Sequence, residues 1–426
     1  TMSTTNNEAY ADQLLEDVFS AYFKARKHKR NTASQLEFEM DLESNLIGLY
    51  EELYQRKYKP GPSYCFIVDK PVKREVFASQ FRDRVVHHLL FDYINPVFEK
   101  RFIFDSYSCR LGKGTLAGIE RLEHHIRSCT QNYTTHAWIL KLDLQGYFMS
   151  IDKKRLYEIV SETLRKHWNQ TPPVASTPST DPDFIDYLLR GIIFKDPKEN
   201  VIIRTPMDKW EGLPLSKSLL YSCTGNGLPI GDLTSQLFSN IYMGVFDEYV
   251  KRILHIRHYG RYVDDFYVVH ACKGYLTDLI QIFHRFLEEK LSLILHPHKI
   301  YLQPCHKGVP YLGAFIMPYR RYPVRRSVSQ FRKAMKLACR LLRLDDLSDD
   351  VLCGIRGTLN SYLGYLGNFR SRRIIREILD NAPIFRYFVY SSTENKLLLK
   401  KDLPPSSPIY SYIFPVSYTH LTLPTN

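Results

Sequence analysis

The chain has 426 residues, 44% hydrophobic and 24% charged. That is enough apolar material for a sizeable core and excludes wholesale disorder. Lys and Arg number 58 against 45 Asp and Glu, a net charge of +13, and no apolar run approaches the ~20 residues that cross a bilayer. The start of the chain lacks the basic-then-apolar order of a signal peptide. Eight scattered cysteines form no CxxC pair. A reduced, cytoplasmic setting without membrane anchorage is therefore expected.

Apolar spacing of three and four predicts a helix over residues 8–30, with Leu14, Leu15, Val18, Phe19 and Tyr22 on one stripe. A second helix is expected over 35–57, closed by Pro60-Gly61-Pro62. A short β-rich run at 64–68 leads into the basic stretch DKPVKRE. Helices at 83–98 and 116–128 flank a turn-rich segment, and 137–142 reads as an apolar strand. The Pro/Ser/Thr-rich stretch near 169–183 reads as a surface insertion, because apolar patterning resumes after it. Further on, 233–254 reads as a long amphipathic helix, 257–270 as two strands around a tight turn, and 276–293 as a helix. Strands are expected at 300–302 and 311–316, then helices at 329–344, 349–364 and 372–379.

The charge is uneven. Residues 319–376 hold 14 Lys/Arg and 4 Asp, which is +10 of the total +13. A basic segment of this kind suits a polyanionic partner, and the alternative is a solvated helical face. Residues 416–425, VSYTHLTLPT, are similar to the translation of a sequencing-library adaptor and are assigned no function.

The sharpest local feature is Arg261-Tyr262-Val263-Asp264-Asp265-Phe266. Two β-rich runs flank adjacent aspartates, a poor choice for a two-residue hairpin turn and a source of repulsion. A local rule broken without structural gain points to function, with an acidic surface turn as the alternative. Upstream, the apolar strand Ile139-Leu140-Lys141-Leu142 ends in Asp143. Asp143 beside Asp264 and Asp265 would make a three-carboxylate site able to hold two metals roughly 4 Å apart, the arrangement of nucleotidyl transfer.

These motifs, with the DKPVKRE segment, resemble a reverse transcriptase over residues 64–379. Within that superfamily, which includes the group II intron-like enzymes, the chain resembles those of bacterial and phage diversity-generating retroelements. The stretches that carry this are DRVVHHLL, FDSYSCRLGKGT, GLPIGDLTSQLFSNIY, RYVDDF, LHPHKIYLQP and KGVPYLG. The resemblance implies an α+β right-hand polymerase. Its expected parts are an N-terminal helical extension (1–62), fingers and palm with an antiparallel sheet (63–318), a basic helical thumb (319–390) and a tail (391–426). It implies an RNA-directed DNA polymerase using two Mg²⁺ ions, with Mn²⁺ as an alternative. Asp143, Asp264 and Asp265 would hold the metals with the Leu144 carbonyl nearby, and Lys299 would protonate pyrophosphate. A solvated turn lysine is the other reading of Lys299.

Further roles follow by position. Phe148 would exclude a 2′-hydroxyl, unless it is a core phenylalanine. Lys70 or Lys73, and Arg74, would contact the triphosphate. Gly231 would allow close backbone approach to nucleotide or template, and Gln236 would face the base pair. Tyr311, Leu312 and Gly313 would grip the primer. Arg325, Arg326, Arg332, Lys333, Lys336 and Arg340 would track template–primer phosphates, while Tyr362, Tyr365 and Phe369 pack the thumb. His296, His298, Cys305 and His306 lack the paired spacing of a zinc site.

One departure refines the resemblance. Many reverse transcriptases carry QGxxxSP where this chain has Ile230-Gly231 and Ser235-Gln236. That form implies errors at template adenines and a mutagenic role. The implied partners are an RNA template, a DNA or RNA primer, deoxynucleotides and a small basic ring-forming accessory protein. Two rival readings stand beside it, a defence-associated bacterial reverse transcriptase and a non-catalytic RNA-binding protein.

Overall fold

The computed structural model describes residues 2–27, 32–69, 72–170, 177–344, 347–380 and 383–402. The chain divides into two compact units, Thr1–Gln303 and Pro304–Asn426. It is a mixed α/β structure whose sheets are mainly antiparallel. Among the described residues no helix is long and apolar enough to cross a membrane. The 416–425 stretch lies outside the described residues.

In the first unit, helices α1 (Met2–Arg26), α2 (Ala33–Glu39) and α3 (Leu42–Tyr54) gather around α4 (Phe81–Glu99). Leu14, Val18, Ala21, Tyr22 and Ala25 form the buried stripe of α1. The single helix expected over 35–57 is two. Asp41 leaves the helical region at φ −134°, ψ 62°. At the end of α2 the Glu39 carboxylate accepts from Tyr22 Oη (2.9 Å), Arg26 Nε (2.6 Å) and Gln35 Nε2 (3.0 Å).

Strand β1 (Ser63–Val68) pairs antiparallel with β2 (Arg74–Ser79) and parallel with the two-residue β4 (Ile202–Ile203). Strand β2 was not evident in sequence, because charged Arg74 and Glu75 open it and Glu75 faces inward. Helix α5 (Thr115–Cys129) precedes β3 (Trp138–Leu142), and the short α6 (Tyr147–Ser150) follows it. Helix α7 (Lys153–Gln170) was also not anticipated. Only Leu156, Val160 and Leu164 carry its buried apolar stripe, among many charges. Helix α8 (Pro182–Ile193) starts on an Asp181 cap that accepts from the backbone N–H of Asp183 and Phe184.

The central sheet runs β5 (Tyr259–Tyr262), β6 (Asp265–His270), β3 and β7 (Tyr301–Pro304), in that order. Helices α5, α9 (Leu233–Glu248) and α10 (Lys273–Leu291) pack around it. Phe246 of α9 meets Tyr259, Phe266 and Phe283 edge-on at 5.1–6.2 Å between ring centroids. The helix expected to reach residue 254 changes to a π turn over Tyr249–Ile253. The wider turn brings Tyr249 flat against Phe286, with centroids 4.0 Å apart.

Beneath the β5–β6 hairpin lies a fully buried ion pair. Arg261 Nη2 is 2.7 Å from Asp247 Oδ2, with side-chain exposures of 0% and 1%. Its other donors reach Asn240 Oδ1 (3.3 Å), Ser106 Oγ (3.1 Å) and the Val263 carbonyl (2.9 Å). Burial pulls the guanidinium pKa down, and Asp247 more than offsets this, raising it above its ordinary value. Backbone bonds from Arg261 N–H to Asp105 O (2.9 Å) and from Tyr107 N–H to Arg261 O (3.0 Å) dock the 105–107 segment on the same strand.

The second unit opens with β8 (Val309–Tyr311), β9 (Ala314–Met317) and β10 (Arg320–Pro323), an antiparallel sheet in the order β10-β9-β8. The strand expected over 311–316 is thus a hairpin. Its turn residues Leu312 and Gly313 both have positive φ, 46° and 86°, as a tight hairpin turn requires. Helices α11 (Arg325–Leu341), α12 (Asp349–Gly367) and α13 (Arg372–Leu379) follow. A second hairpin, β11 (Phe388–Ser391) and β12 (Lys396–Leu399), adds Phe388, Leu397 and Leu399 to their core. Residues 391–399, expected as tail, are therefore folded. Their alternate burial is too short a pattern to stand out in sequence.

Replacing Asp247 with Ala strands a buried guanidinium. The expected loss of stability is about 3–5 kcal/mol, read from urea unfolding midpoints at unchanged slope. A loss below about 1 kcal/mol would mean that water reaches Arg261.

Candidate active site

Strand pairing sets Asp143 opposite the hairpin that carries Asp264 and Asp265. Leu142 of β3 pairs with Phe266 of β6, so the next residue, Asp143, stands across from Asp265. Tyr262 pairs with Asp265, which makes Val263 and Asp264 the hairpin turn and leaves Asp265 in strand β6. The turn is thus not Asp-Asp, as the sequence suggested. Val263 takes φ 56°, an outlier for a β-branched residue and a strain of about 1–3 kcal/mol. The hydrogen bond from Arg261 Nη1 to its carbonyl helps hold it there.

Beyond β3 the chain stays extended against residues 294–296. Asp143 O accepts from His296 N–H (2.8 Å), and Gln145 N–H donates to Ile294 O (2.9 Å). Leu144 and Leu295 therefore form a non-hydrogen-bonded bridge. In that geometry the Leu144 carbonyl is directed away from residues 294–296.

The electrostatics are strained. Burial, then repulsion from Asp143, pushes the Asp264 carboxyl up to about 6. Burial and Asp143 also push Asp265 up to about 6, against the pull of Lys141 and Lys299. Lys299 Nζ is 2.9 Å from Asp143 Oδ1, so one ammonium faces the cluster. The donors are hard oxygens, the set that suits Mg²⁺. Among the described residues, no three His, Cys, Asp or Glu side chains meet closely enough to hold a metal as they stand. Asp143 is engaged by Lys299 instead.

The other expected residues have the following surroundings. Phe148 lies half-buried in α6, packed between the main core and a small cluster of Cys65, Phe77, Met149, Trp210 and Leu219. Arg74 is exposed at the start of β2. Lys70 lies outside the described residues. Lys73 donates to the carbonyls of Lys209 (3.0 Å) and Glu211 (2.8 Å). Gln236 is exposed on α9. Gly231 has φ 147°, and a Cβ there would stand 2.7 Å from Phe77 O. The close approach that this glycine permits in the structure is to the β2 backbone.

In the second unit, Tyr311 is buried and Leu312-Gly313 form the β8–β9 turn. Tyr365 Oη donates to the Gly313 carbonyl and accepts from Val324 N–H (3.1 Å). Phe331 stacks on Tyr362 with centroids 5.4 Å apart. Val328, Phe331, Met335 and Ala338 bury one face of α11. Arg325, Arg326, Arg332, Lys333, Lys336 and Arg340 are exposed, and Arg332 pairs with Glu377 at 2.7 Å.

Sequence reasoning missed Asp247, Asn240 and Glu75. The available signal was a charge inside an otherwise apolar stripe. Arg261 sits two after buried Tyr259 in β5, and Glu75 sits two before buried Phe77.

No protein-family profile matches the chain. Protein YkfC of Escherichia coli (strain K12) is 22% identical over 333 residues, 70% of this chain and 78% of the relative. Among solved structures, the chain is similar to telomerase from Candida albicans in complex with a TWJ fragment of telomeric RNA. That match has 11% identity and a TM-score of 0.44, over 82% of this chain and 60% of the other. Apo telomerase from Candida tropicalis matches at 12% identity and TM-score 0.43, over 77% and 61%. The chain thus spans 60% and 61% of the lengths of these two structures.

The two raised carboxyls make stability depend on pH. An unfolded Asp titrates near 3.9, and Asp264 and Asp265 titrate near 6 in the fold. Stability present below about pH 4 is therefore lost as pH climbs through about 6. Without divalent cation, Asp264→Asn should melt higher than the parent at about pH 7.5 and level with it at about pH 4. Scanning calorimetry at both values checks this, and an equal gain at both would refute the electrostatic origin.

Proposed function

We propose that this chain is an RNA-directed DNA polymerase of the right-hand type. The observation that carries the reading is the placement of Asp264 and Asp265 on a strained, Arg261-braced hairpin across from Asp143. Three acids in a half-buried position, each raising the energy of the others, are poorly suited to a purely structural role. In this reading residues 63–318 supply fingers and palm, and residues 319–390 supply the thumb.

Asp143, Asp264, Asp265 and the Leu144 carbonyl would hold two Mg²⁺ ions, whose chemistry there would be Lewis-acid activation of a hydroxyl and neutralisation of phosphate charge. The chain's own groups do the rest. Lys299, whose ammonium stands 2.9 Å from Asp143 Oδ1, would give a proton to pyrophosphate. Arg74 pairs with the triphosphate. The Phe148 ring fills the space a ribose 2′-hydroxyl would need. Gln236 contacts the templating pair. The Leu312-Gly313 turn supports the primer end, and the exposed cations of α11 follow the duplex phosphates.

The biological role proposed for this activity is mutagenic copying of an RNA template, with errors at adenines, in a diversity-generating retroelement. What supports it is the Ile230-Gly231 and Ser235-Gln236 pattern of the α9 entry. A small basic ring-forming accessory protein belongs to the same proposal.

Primer extension on a defined RNA template with Mg²⁺ tests the reading. Asp264→Asn should cut incorporation by about two orders of magnitude or more, and Lys299→Ala by about a hundredfold. Product sequencing then divides the roles. Errors concentrated opposite adenines support diversification, and untemplated or faithful products point to a defence-type enzyme. No synthesis with template RNA and accessory protein, but retained RNA binding, would replace the polymerase with an RNA-binding protein.

A further inference from the structure

Residues 194–232, between α8 and α9, hold only the two-residue β4 and short 3₁₀ turns. A segment so poor in regular structure needs side-chain anchors to keep one conformation. The largest anchor is Glu75, 1% exposed on β2. Its carboxylate accepts from Trp210 Nε1 (2.7 Å), Ser218 Oγ (2.6 Å) and the backbone N–H groups of Leu219 and Leu220. A buried charge is tolerated there because so many donors converge on it. Lys73, two residues earlier, adds its bonds to the carbonyls of Lys209 and Glu211.

The anchored segment presses on α6. A Cβ on Gly146 would stand 2.4 Å from the Ser216 carbonyl, and Gly146 has φ 56°. Only glycine meets both demands. Leu219 and Trp210 share a buried cluster with Met149, against which Phe148 packs. The Phe148 carbonyl accepts from Leu228 N–H (2.8 Å), and Ile151 O accepts from Gly227 N–H (2.8 Å). The segment therefore grips α6 from two sides.

We infer that Glu75 is a positioning residue for Phe148: its carboxylate latches residues 207–220 onto β2, and that segment, packed against α6, fixes the ring that selects the sugar. The last clause rests on the reading of Phe148 as the nucleotide-side ring. Strand β2 alternates, so Arg74 points outward where Glu75 points inward. One strand thus carries a candidate triphosphate contact on one face and the latch of the sugar pocket on the other.

Hydrogen exchange on Glu75→Gln tests the latch without polymerase activity. A glutamine amide turns an N–H₂ toward donors that need an acceptor. Exchange at Leu219 N–H should accelerate about tenfold or more. Exchange at Met149 and Leu228 N–H should rise with it, while Arg261 N–H in the hairpin stays unchanged. Acceleration at Leu219 alone would overturn the coupling to Phe148, and acceleration everywhere would reduce Glu75 to a general stability residue. If Glu75→Gln fails to fold, Ser218→Ala and Trp210→Phe each remove one donor and should show the same pattern at smaller size. Where the parent protein extends primers, Glu75→Gln should also lower its preference for deoxy- over ribonucleotides about tenfold, as loss of one positioned contact does. Unchanged preference in a loosened pocket would sink the sugar-selecting role. If the parent incorporates neither nucleotide, the polymerase reading and the sugar-selecting role fall together, and the exchange pattern still decides whether the Glu75 latch reaches α6.

Discussion

A single buried charge pair sets the geometry on which the candidate site depends. Arg261 is wholly shielded from water, and an isolated guanidinium in that position would be untenable. Asp247 meets it with two oxygens, and Tyr259 Oη donates to the same carboxylate at 2.6 Å. The remaining donors tie in α9 through Asn240, the 105–108 segment through Ser106, and the hairpin turn through Val263. Asn240 Nδ2 also donates to Ser108 O at 2.7 Å. One ion pair therefore joins three parts of the first unit, and little salt screening reaches it. Its satisfied donors offset the cost of a left-handed valine one residue before the paired aspartates.

That hairpin holds its acids half-buried. Asp264 and Asp265 rise to about 6 because burial and Asp143 both disfavour their charge. Lys299 at Asp143 and Lys141 near Asp265 set two positive charges against three acids, which leaves the cluster short of cation. The imbalance is what a divalent ion relieves, and it supports the proposed chemistry. The second unit has the opposite balance, with an apolar α11 face turned to its core and six cations turned out.

Much of this was legible in the chain alone. The β5–β6 hairpin, β3, α4, α5, α10 and α13 are long or sharply patterned enough for periodicity to reveal them. Elements whose pattern is diluted by charge or brevity were not. Strand β2 hides behind Arg74 and Glu75, α7 is mostly polar, and β12 is four residues. The break between α2 and α3 was hidden because Glu39 is drawn toward Tyr22 and Arg26 of another helix.

The chain alone showed the acids Asp143, Asp264 and Asp265, their order, and the strands that flank them. Which side chains become neighbours was settled by the packed fold. Asp143 and Lys299 touch across 156 positions, and Glu75 and Ser218 across 143. It also decided that the turn falls on Val263 and Asp264, and that Gly231 serves the β2 backbone. Periodicity reports which side of an element is apolar. It is silent on which distant partner a buried charge will find, because that pairing depends on the packed fold and not on local spacing.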